Sequence, residues 1–350
     1  MKELCFEKLW TAAREELFSR QLVIVCNTKK SSINSEIING FSMATEYFSD
    51  DEFEQVVSIF ASLGLDMELF TYEDDFIRYV IEKKPSNILV YNAAQSGIGP
   101  GRKALIPAFC NLHGIPCTGS NAYVVTLCRH KYHVNHILSE SGVCVPDTWL
   151  YSGGWLLNKK PALKTKILLK PIYESASIGI DKSSMQLYSP ELDQQIHNRS
   201  TQHKQPIIAQ KFISGYEVEV PLVCINDTAI QLPPVGIAVD GEQNLKNTFL
   251  DYERIYFDRY SFYDFTNKKP FIARQLCECA RRVARILGMQ GLCRIDFRID
   301  SDGTYYVTDV STNPHFVKHS SVSYAFQIAG YSSNDIARTI LSAAVIKQIP

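Results

Sequence analysis

Hydrophobic and polar positions along the 350-residue chain fall into short runs with two different periods. The opening segment, "MKELCFEKLWTAAREELFSRQ", spaces its apolar positions as an amphipathic helix does. "LVIVC" (22–26) is a continuous apolar strand, followed by the polar loop "NTKKSSINS". A helix comes next, with Phe53, Val56, Val57 and Phe60 on one face and Gly64 just past its end. "MELFTY" and "NILVYNA" predict two more strands, the second leading into the Gly/Pro loop "QSGIGPGR" and a helix over 103–113. Strand and helix alternate and the strands are apolar throughout, which predicts a parallel sheet covered on both faces.

Beyond residue 119 the pattern changes. A helix near 129–141 precedes "ILLKPIYESASIGI", which reads as two strand-like arms around a loop of small and polar residues. "QPIIAQKFISGYEVEVPLVCI" predicts more strands, and "FLDYERIYFDRYSFYDF" is a long aromatic and charged segment. Helices are predicted at about 270–287 and 333–347. Between them, "RIDFRIDSDGTYYVTDVSTNP" (294–314) alternates with period two on both arms of a hairpin, with Asp302-Gly303 as a two-residue turn. Pairing Ser301 with Thr304 then sets Asp296 opposite Asp309 and Arg294 opposite Ser311, all on one face. Ile295, Phe297, Ile299, Thr308 and Val310 point to the other face, towards a core. Like charges directly across a ladder destabilise it. Two arrangements offset that: a hard divalent cation between the acids, or a solvated face on which Arg294 and Arg298 neutralise them.

Composition narrows the class. Hydrophobic residues make up 45% and charged residues 21%, which is ordinary for a soluble globular enzyme with two or three domains. The net charge of −1 removes the electrostatic case for nucleic acid or an anionic membrane as partners. Ten cysteines lie singly, without a C-x-x-C pair and several within apolar runs. That usage predicts reduced, mostly buried thiols in a cytoplasmic protein, not a disulfide framework or a zinc site. The charged N-terminal segment does not read as a signal peptide, and no apolar run reaches membrane-spanning length.

Lys170 ends the strand "ILLK" and faces a loop containing Ser175, Ser177 and Gly179, whose backbone amides can cradle phosphate oxygens. The G-x-x-x-x-G-K-[ST] pattern is absent. Taken together, "TGSNAYVVTLCRHK" (118–131), "LLKPIYESASIGI", "AQKFISGYEVEV", "DYERIY" and the hairpin resemble, in order and spacing, the ATP-grasp superfamily and within it the D-alanine–D-alanine ligases. They match the family's T-G-S segment, its phosphate loop, its adenine hinge, its mobile closing loop and its metal strand. The resemblance covers about residues 85 to 345.

It implies a mixed α/β and α+β architecture, the ATP-grasp fold. A Rossmann-like pre-ATP-grasp domain would span 1–119, and two α+β subdomains, 120–208 and 209–350, would sandwich ATP. By the same matching, Lys131 and Lys170 contact phosphates, Gln210 and Lys211 sit at the adenine, and Glu217 binds the ribose hydroxyls. Asp296 and Asp309 match the acids that bind magnesium, with manganese as an alternative. Ser311 stands where the family has an asparagine ligand, and Asn313, two residues on, is its candidate replacement. Arg294 would stabilise an oxyanion or a substrate carboxylate, Ser177 belongs to the phosphate loop, and Tyr256 to the closing loop. Ser320 matches a serine near the second substrate's carboxylate, with Ser321 beside it, and His315 either contacts substrate or is structural. The implied reaction joins an amino-acid-like carboxylate to an amine through an acyl phosphate, in a chain whose relatives are often homodimers.

The departures from the family lie on the substrate side. "NTKKSSINSE" lacks the family's Gly-Gly-x-x-x-E loop, and Glu36 lies further along than the glutamate it would replace. Lys29 and Lys30 would favour an acidic substrate group, or are solvated loop lysines. Ala176 replaces a serine, and Arg254-Ile255 replaces a lysine just before the closing-loop tyrosine. These changes favour a ligase of another dipeptide or amino-acid conjugate. The alternatives are a divergent D-alanine–D-alanine ligase and a non-catalytic ATP-binding sensor or interaction protein.

Overall fold

Continuous apolar strands need cover on both faces, and the computed structural model, which describes residues 5–31, 37–38, 40–97, 99–317 and 319–347, supplies it. Glu36 lies outside the described residues. The first region contains α1 (Phe6–Phe18), β1 (Gln21–Cys26), the short pair β2 (Ile37–Ile38) and β3 (Phe41–Ser42), and α2 (Asp50–Ala61). It continues through β4 (Met67–Phe70), α3 (Glu73–Lys83), β5 (Ile88–Ala93) and α4 (Leu105–Leu112). Strands β4, β1 and β5 form a parallel sheet in that order. Val23 and Val25 bury against Phe76 and Val80 of α3 and Ile106 and Cys110 of α4. Leu22, Ile24 and Cys26, on the opposite face, bury with Val56 and Phe60 of α2. That helix begins where Ser49 and Glu52 form a reciprocal capping box.

Next come α5 (Ala122–Arg129), α6 (Lys131–Glu140), β6 (Thr148–Tyr151), β7 (Lys166–Pro171), β8 (Met185–Leu187), α7 (Leu192–His203) and β9 (Ile207–Lys211). The helix expected near 129–141 is α6, and a further helix, α5, precedes it outside the expected span. His130, at φ −89° and ψ 81°, breaks the path, and its ring accepts a hydrogen bond from the His133 amide to start α6. The four strands form an antiparallel sheet in the order β6-β9-β7-β8. The second strand-like arm of "ILLKPIYESASIGI" does not form. Ala176 and Ser177 both take left-handed φ, 50° and 52°, which no ladder continues through. The partner of β7 on that side is Met185–Leu187 instead.

The last region holds β10 (Tyr216–Ile225), β11 (Thr228–Gln231), β12 (Val235–Ala238), α8 (Tyr252–Tyr256), β13 (Ser261–Asp264), α9 (Phe265–Lys268) and α10 (Pro270–Leu287). It ends with β14 (Gly291–Ile299), β15 (Tyr305–Ser311), α11 (Ser321–Ile328) and α12 (Ser333–Ile346). An antiparallel sheet runs β13-β12-β10-β14-β15, with β11 also pairing β10. Leu276, Ala280, Val283 and Leu287 of α10 bury against Val220, Ile295 and Phe297 in the sheet. Ile336, Ile340 and Leu341 of α12 share a core with Val223 and Ile225 of β10 and with Leu22 and Ile24 of β1. One helix therefore joins the first and last sheets through a common core. Among the described residues no helix is long and apolar enough to cross a membrane.

The hairpin keeps the expected pairs, Asp296 with Asp309 and Arg294 with Ser311, but its turn differs. Asp300 accepts from the amides of Asp302 and Thr304, both at 3.0 Å, and that local network closes a wider turn than Asp302-Gly303 alone. A bulge between Asp296 and Phe297 restores the register. Thr308 falls at the bulge, donates to the Asp296 carbonyl at 3.2 Å and lines the cleft, so it is not a core residue.

Candidate active site

A cleft of about 850 Å³ is lined from all three regions. Most site residues named from the sequence line it: Lys131, Lys170, Ser177, Gln210, Lys211, Glu217, Tyr256, Arg294, Asp296, Asp309, Ser311, Asn313, His315, Ser320 and Ser321, with Lys29 at its mouth. Lys30 pairs with Asp50 and is not among the lining residues.

Its floor is a row of three acids on adjacent strands. Register places Glu219 of β10 opposite Asp296 of β14, and Asp296 opposite Asp309 of β15. Protein cations hold all three. Arg294 donates from Nε and Nη2 to both Asp296 oxygens, at 2.7 and 2.8 Å, and its Nη1 lies 3.1 Å from Glu219. Lys131 Nζ lies 3.2 Å from Asp309. Burial pushes Glu219 up to about 7, against the pull of Arg294 and with help from Asp296. Burial likewise raises Asp296, and Arg294 offsets it only in part. At Asp309 burial is outweighed by Lys131 and Lys170, which hold the carboxyl below its ordinary value. The face is therefore the floor of a cleft and not a solvated surface. Arg294 does pair with an acid across the site, whereas Arg298 turns to Glu217 at 2.9 Å and to the Ile213 carbonyl at 3.0 Å.

The oxygen donors of Asp296, Asp309, Ser311 and Asn313 suit a hard divalent cation. Among the described residues no three His, Cys, Asp or Glu side chains group closely enough to hold a metal. Such an ion would need further oxygens from phosphate or water. Asn313 donates its amide nitrogen to the Asn92 carbonyl at 3.1 Å, so its amide oxygen is the atom left to ligate.

On the nucleotide side, Lys170 donates to Gln210 Oε1 at 2.9 Å. Burial pulls Lys170 down to about 8, and Asp309 resists that pull. Lys211 is exposed, with its ammonium 3.7 Å from Asp147. Ser177 donates to the Leu250 carbonyl at 2.8 Å, tying the phosphate loop to the segment that leads into α8. Tyr256, on α8, is 55% exposed at the cleft mouth. Tyr252, unremarked within "DYERIY", anchors this segment: its hydroxyl accepts from the Ser42 amide at 2.9 Å and lies 3.0 Å from Thr45 Oγ1. His319 and Asp258 meet at 2.5 Å on the far side of the same segment. His315 stacks on Phe48 at 4.3 Å between centroids, and burial lowers its pKa. Ser320 caps α11 by accepting from the Ser323 amide, and Ser321 is buried behind it.

Sequence reasoning also passed over Glu219, although it lies two residues from Glu217 and so on the same strand face. Nor did it bring together a buried cluster near the phosphate loop, where Arg102 meets Glu46 at 2.9 Å and Glu174 at 3.4 Å. No local motif marks that cluster, because its members come from distant parts of the chain.

Two sheets facing across a cleft, one carrying Lys170 and the other the acid row, define an ATP-grasp ligase. Residues 144–342 match the family described as D-ala D-ala ligase C-terminus, and the chain belongs to that family. It is 26% identical over 249 residues to the D-alanine–D-alanine ligase of Bordetella petrii, across 71% of this chain and 73% of that one. Its fold is similar to the D-alanine–D-alanine ligase of Bacillus anthracis complexed with ATP, with TM-score 0.67 and 16% identity over 93% of this chain and 97% of that one. The VanG D-Ala:D-Ser ligase of Enterococcus faecalis is similar at TM-score 0.68 and 16% identity, over 93% and 99%. The protein is an ATP-dependent, ADP-forming ligase of small-molecule substrates, joining a carboxylate to an amine.

Proposed function

We propose that the protein uses Mg-ATP to make an acyl phosphate from one amino-acid-like substrate and passes its acyl group to the amine of a second. A carboxylate oxygen attacks the γ-phosphorus as the bond to ADP breaks. The amine nitrogen then attacks the acyl carbon, phosphate leaves, and the amine gives up its proton. The observation that carries this reading is Arg294, clasped by Asp296 and Glu219 in the cleft floor and directly opposite Ser311. A guanidinium fixed in that way is preorganised for the oxyanion of the tetrahedral adduct.

Lys131 and Lys170 hold phosphates, Gln210 and Lys211 border the adenine, and Glu217 binds the ribose. Magnesium, or manganese, held by Asp296 and Asp309 with Ser311 or Asn313, would supply neutralisation of the phosphate charge. Ser177 and Tyr256 fix the phosphate and closing loops around the reacting group, which keeps water from the acyl phosphate. Ser320, Ser321 and His315 border the second substrate. We assign residues 1–119 to the substrate-side domain, and 120–208 and 209–350 to the two halves that enclose ATP. The ten free thiols support a cytoplasmic location, and a homodimer is part of the same reading.

The test is ADP release from Mg-ATP against pooled L- and D-amino acids, with mass spectrometry of the product. ADP together with a new amide-linked mass is expected. D-alanyl-D-alanine would make this enzyme a divergent D-alanine–D-alanine ligase, and ATP binding without ADP release in any pool would favour the non-catalytic alternative.

A further inference from the structure

At the end of the cleft nearest β1 and α2, the charges do not balance. Glu46 and Glu174 are buried there with Arg102 and Arg129, and the half-buried Lys103 makes three cations to two anions among the described residues. Glu46 lies 2.9 Å from Arg102 and 3.8 Å from Arg129, and Glu174 accepts from Gln205 at 2.9 Å while meeting Arg102 at 3.4 Å. Without Lys103 the cluster is two arginines against two glutamates, already neutral. Lys103 is therefore the surplus cation. Its side chain is only 19% exposed, and among the described residues its nearest carboxylate is Glu46, at a loose 3.9 Å. A turn with φ 72° at Lys103 holds the residue there, a conformation unusual outside glycine. Burial pulls its ammonium down to about 8, so the site is poor at holding the charge unaided.

Burying an ammonium without a close anion is unfavourable, and this one lines the cleft beside Ser175 and His315. The other acids at this end do not answer it. Glu52 is engaged at the start of α2, where it accepts from the Ser49 amide at 2.7 Å. Asp51 is exposed at the mouth together with Lys29.

We propose that Lys103 anchors a second, non-reacting carboxylate of the substrate that is phosphorylated, which makes that substrate a dicarboxylate. The inference rests on the ligase reading for the role of the bound molecule. The fixed ammonium leaves one carboxylate for the phosphate loop and orients the other, and it disfavours substrates whose non-reacting end is neutral or cationic.

The experiment has two arms. In the first, glutarate is titrated calorimetrically into the full chain saturated with Mg and a non-hydrolysable ATP analogue. Saturable binding is expected, weakened at least ~30-fold by Lys103→Met and less by Lys103→Arg, the ratio for removing one member of a buried charge pair. Lys103→Met leaves two arginines against two glutamates, so an unchanged melting temperature and analogue affinity are expected. Equal glutarate binding by wild type and Lys103→Met, or no binding to wild type, would overturn the proposal. In the second arm, ADP release is compared for D- and L-glutamate, D- and L-aspartate and alanine. Release with alanine but none of the dicarboxylates sinks the anchor and keeps the ligase. Lys103-dependent glutarate binding without ADP release in any pool keeps the anchor and sinks the ligase.

Discussion

Arg294 grips Asp296 along its own strand, at i and i+2, with both carboxylate oxygens engaged at 2.7 and 2.8 Å. The third nitrogen reaches across to Glu219 on the neighbouring strand at 3.1 Å. The guanidinium is thereby fixed by two acids while still lining the cleft. Arg294→Ala is expected to lower turnover at least ~100-fold, the scale for losing a preorganised oxyanion donor. Arg294→Lys should recover little, because a point charge cannot reproduce the two-oxygen grip. Asp296→Asn should cost a similar factor through the proposed metal. Steady-state kcat for the three variants, beside equilibrium ATP binding, checks this. Full activity in Arg294→Ala or Asp296→Asn would remove them from the site.

Lys170 sets a pH dependence whose sign is fixed by its burial. Its folded value, about 8, lies below the ordinary 10.5. With Lys170 in its proposed place at the phosphates, they lose a cationic partner as pH rises past about 8, so kcat/KM for ATP should fall above that pH and be level below it. Lys170→Arg, which stays charged, should flatten the descent. Stability moves the other way. Between about 8 and 10.5 the unfolded chain holds a proton at this residue that the folded chain has released, so this group adds stability as pH rises. A pH profile of kcat/KM for ATP alongside denaturant midpoints separates the two effects.

These predictions lean on residues the sequence already exposed, and the reason is local. Asp296, Asp309 and Arg294 share a hairpin, so period-two alternation and one turn were enough to align them. The turn itself was misjudged because Asp300 recruits two amides of its own, which residue preference alone does not reveal. The bulge cancelled the error at the acids and left it in the outer pairs, Phe297 with Val307 to Ile299 with Tyr305, and at Thr308, which turns to the cleft. Helix α6 was legible from its apolar spacing, whereas α5, only eight residues long, lies within the segment 118–131 and carried no helix expectation of its own. The cluster around Glu46 was illegible for a different cause. Glu46, Arg102, Arg129 and Glu174 are ordinary charged residues in sequence, and only the packing of one region on another buries them together.

Gly179 closes the phosphate loop at φ 79°, and a Cβ there would meet Pro171 Cγ at 2.4 Å and His203 Cε1 at 2.9 Å. Gly153 has a similar φ, 70°, but nothing within 4 Å of the same added atom. Gly179→Ala should therefore destabilise the chain by about 1–3 kcal/mol through overpacking and weaken ATP binding as the loop shifts. Gly153→Ala carries the backbone strain alone and is the control. Equal melting temperatures and ATP affinities in the two variants would mean that the loop yields freely at Gly179.

Tyr252 is the pin of the closing segment. Its ring meets Phe41 edge-on at 5.0 Å, and its hydroxyl takes the Ser42 amide at 2.9 Å. Tyr252→Phe keeps the ring contact and removes the hydroxyl, a loss of about 0.5–1.5 kcal/mol for the closed arrangement. In the proposed reaction a less completely closed cleft admits water to the acyl phosphate, so ADP should form in excess of amide product. The measurement is the ratio of ADP to amide at saturating substrates. We expect it near one in the wild type and raised severalfold in Tyr252→Phe, with the melting temperature little changed. A ratio that stays at one would show that closure does not depend on this contact.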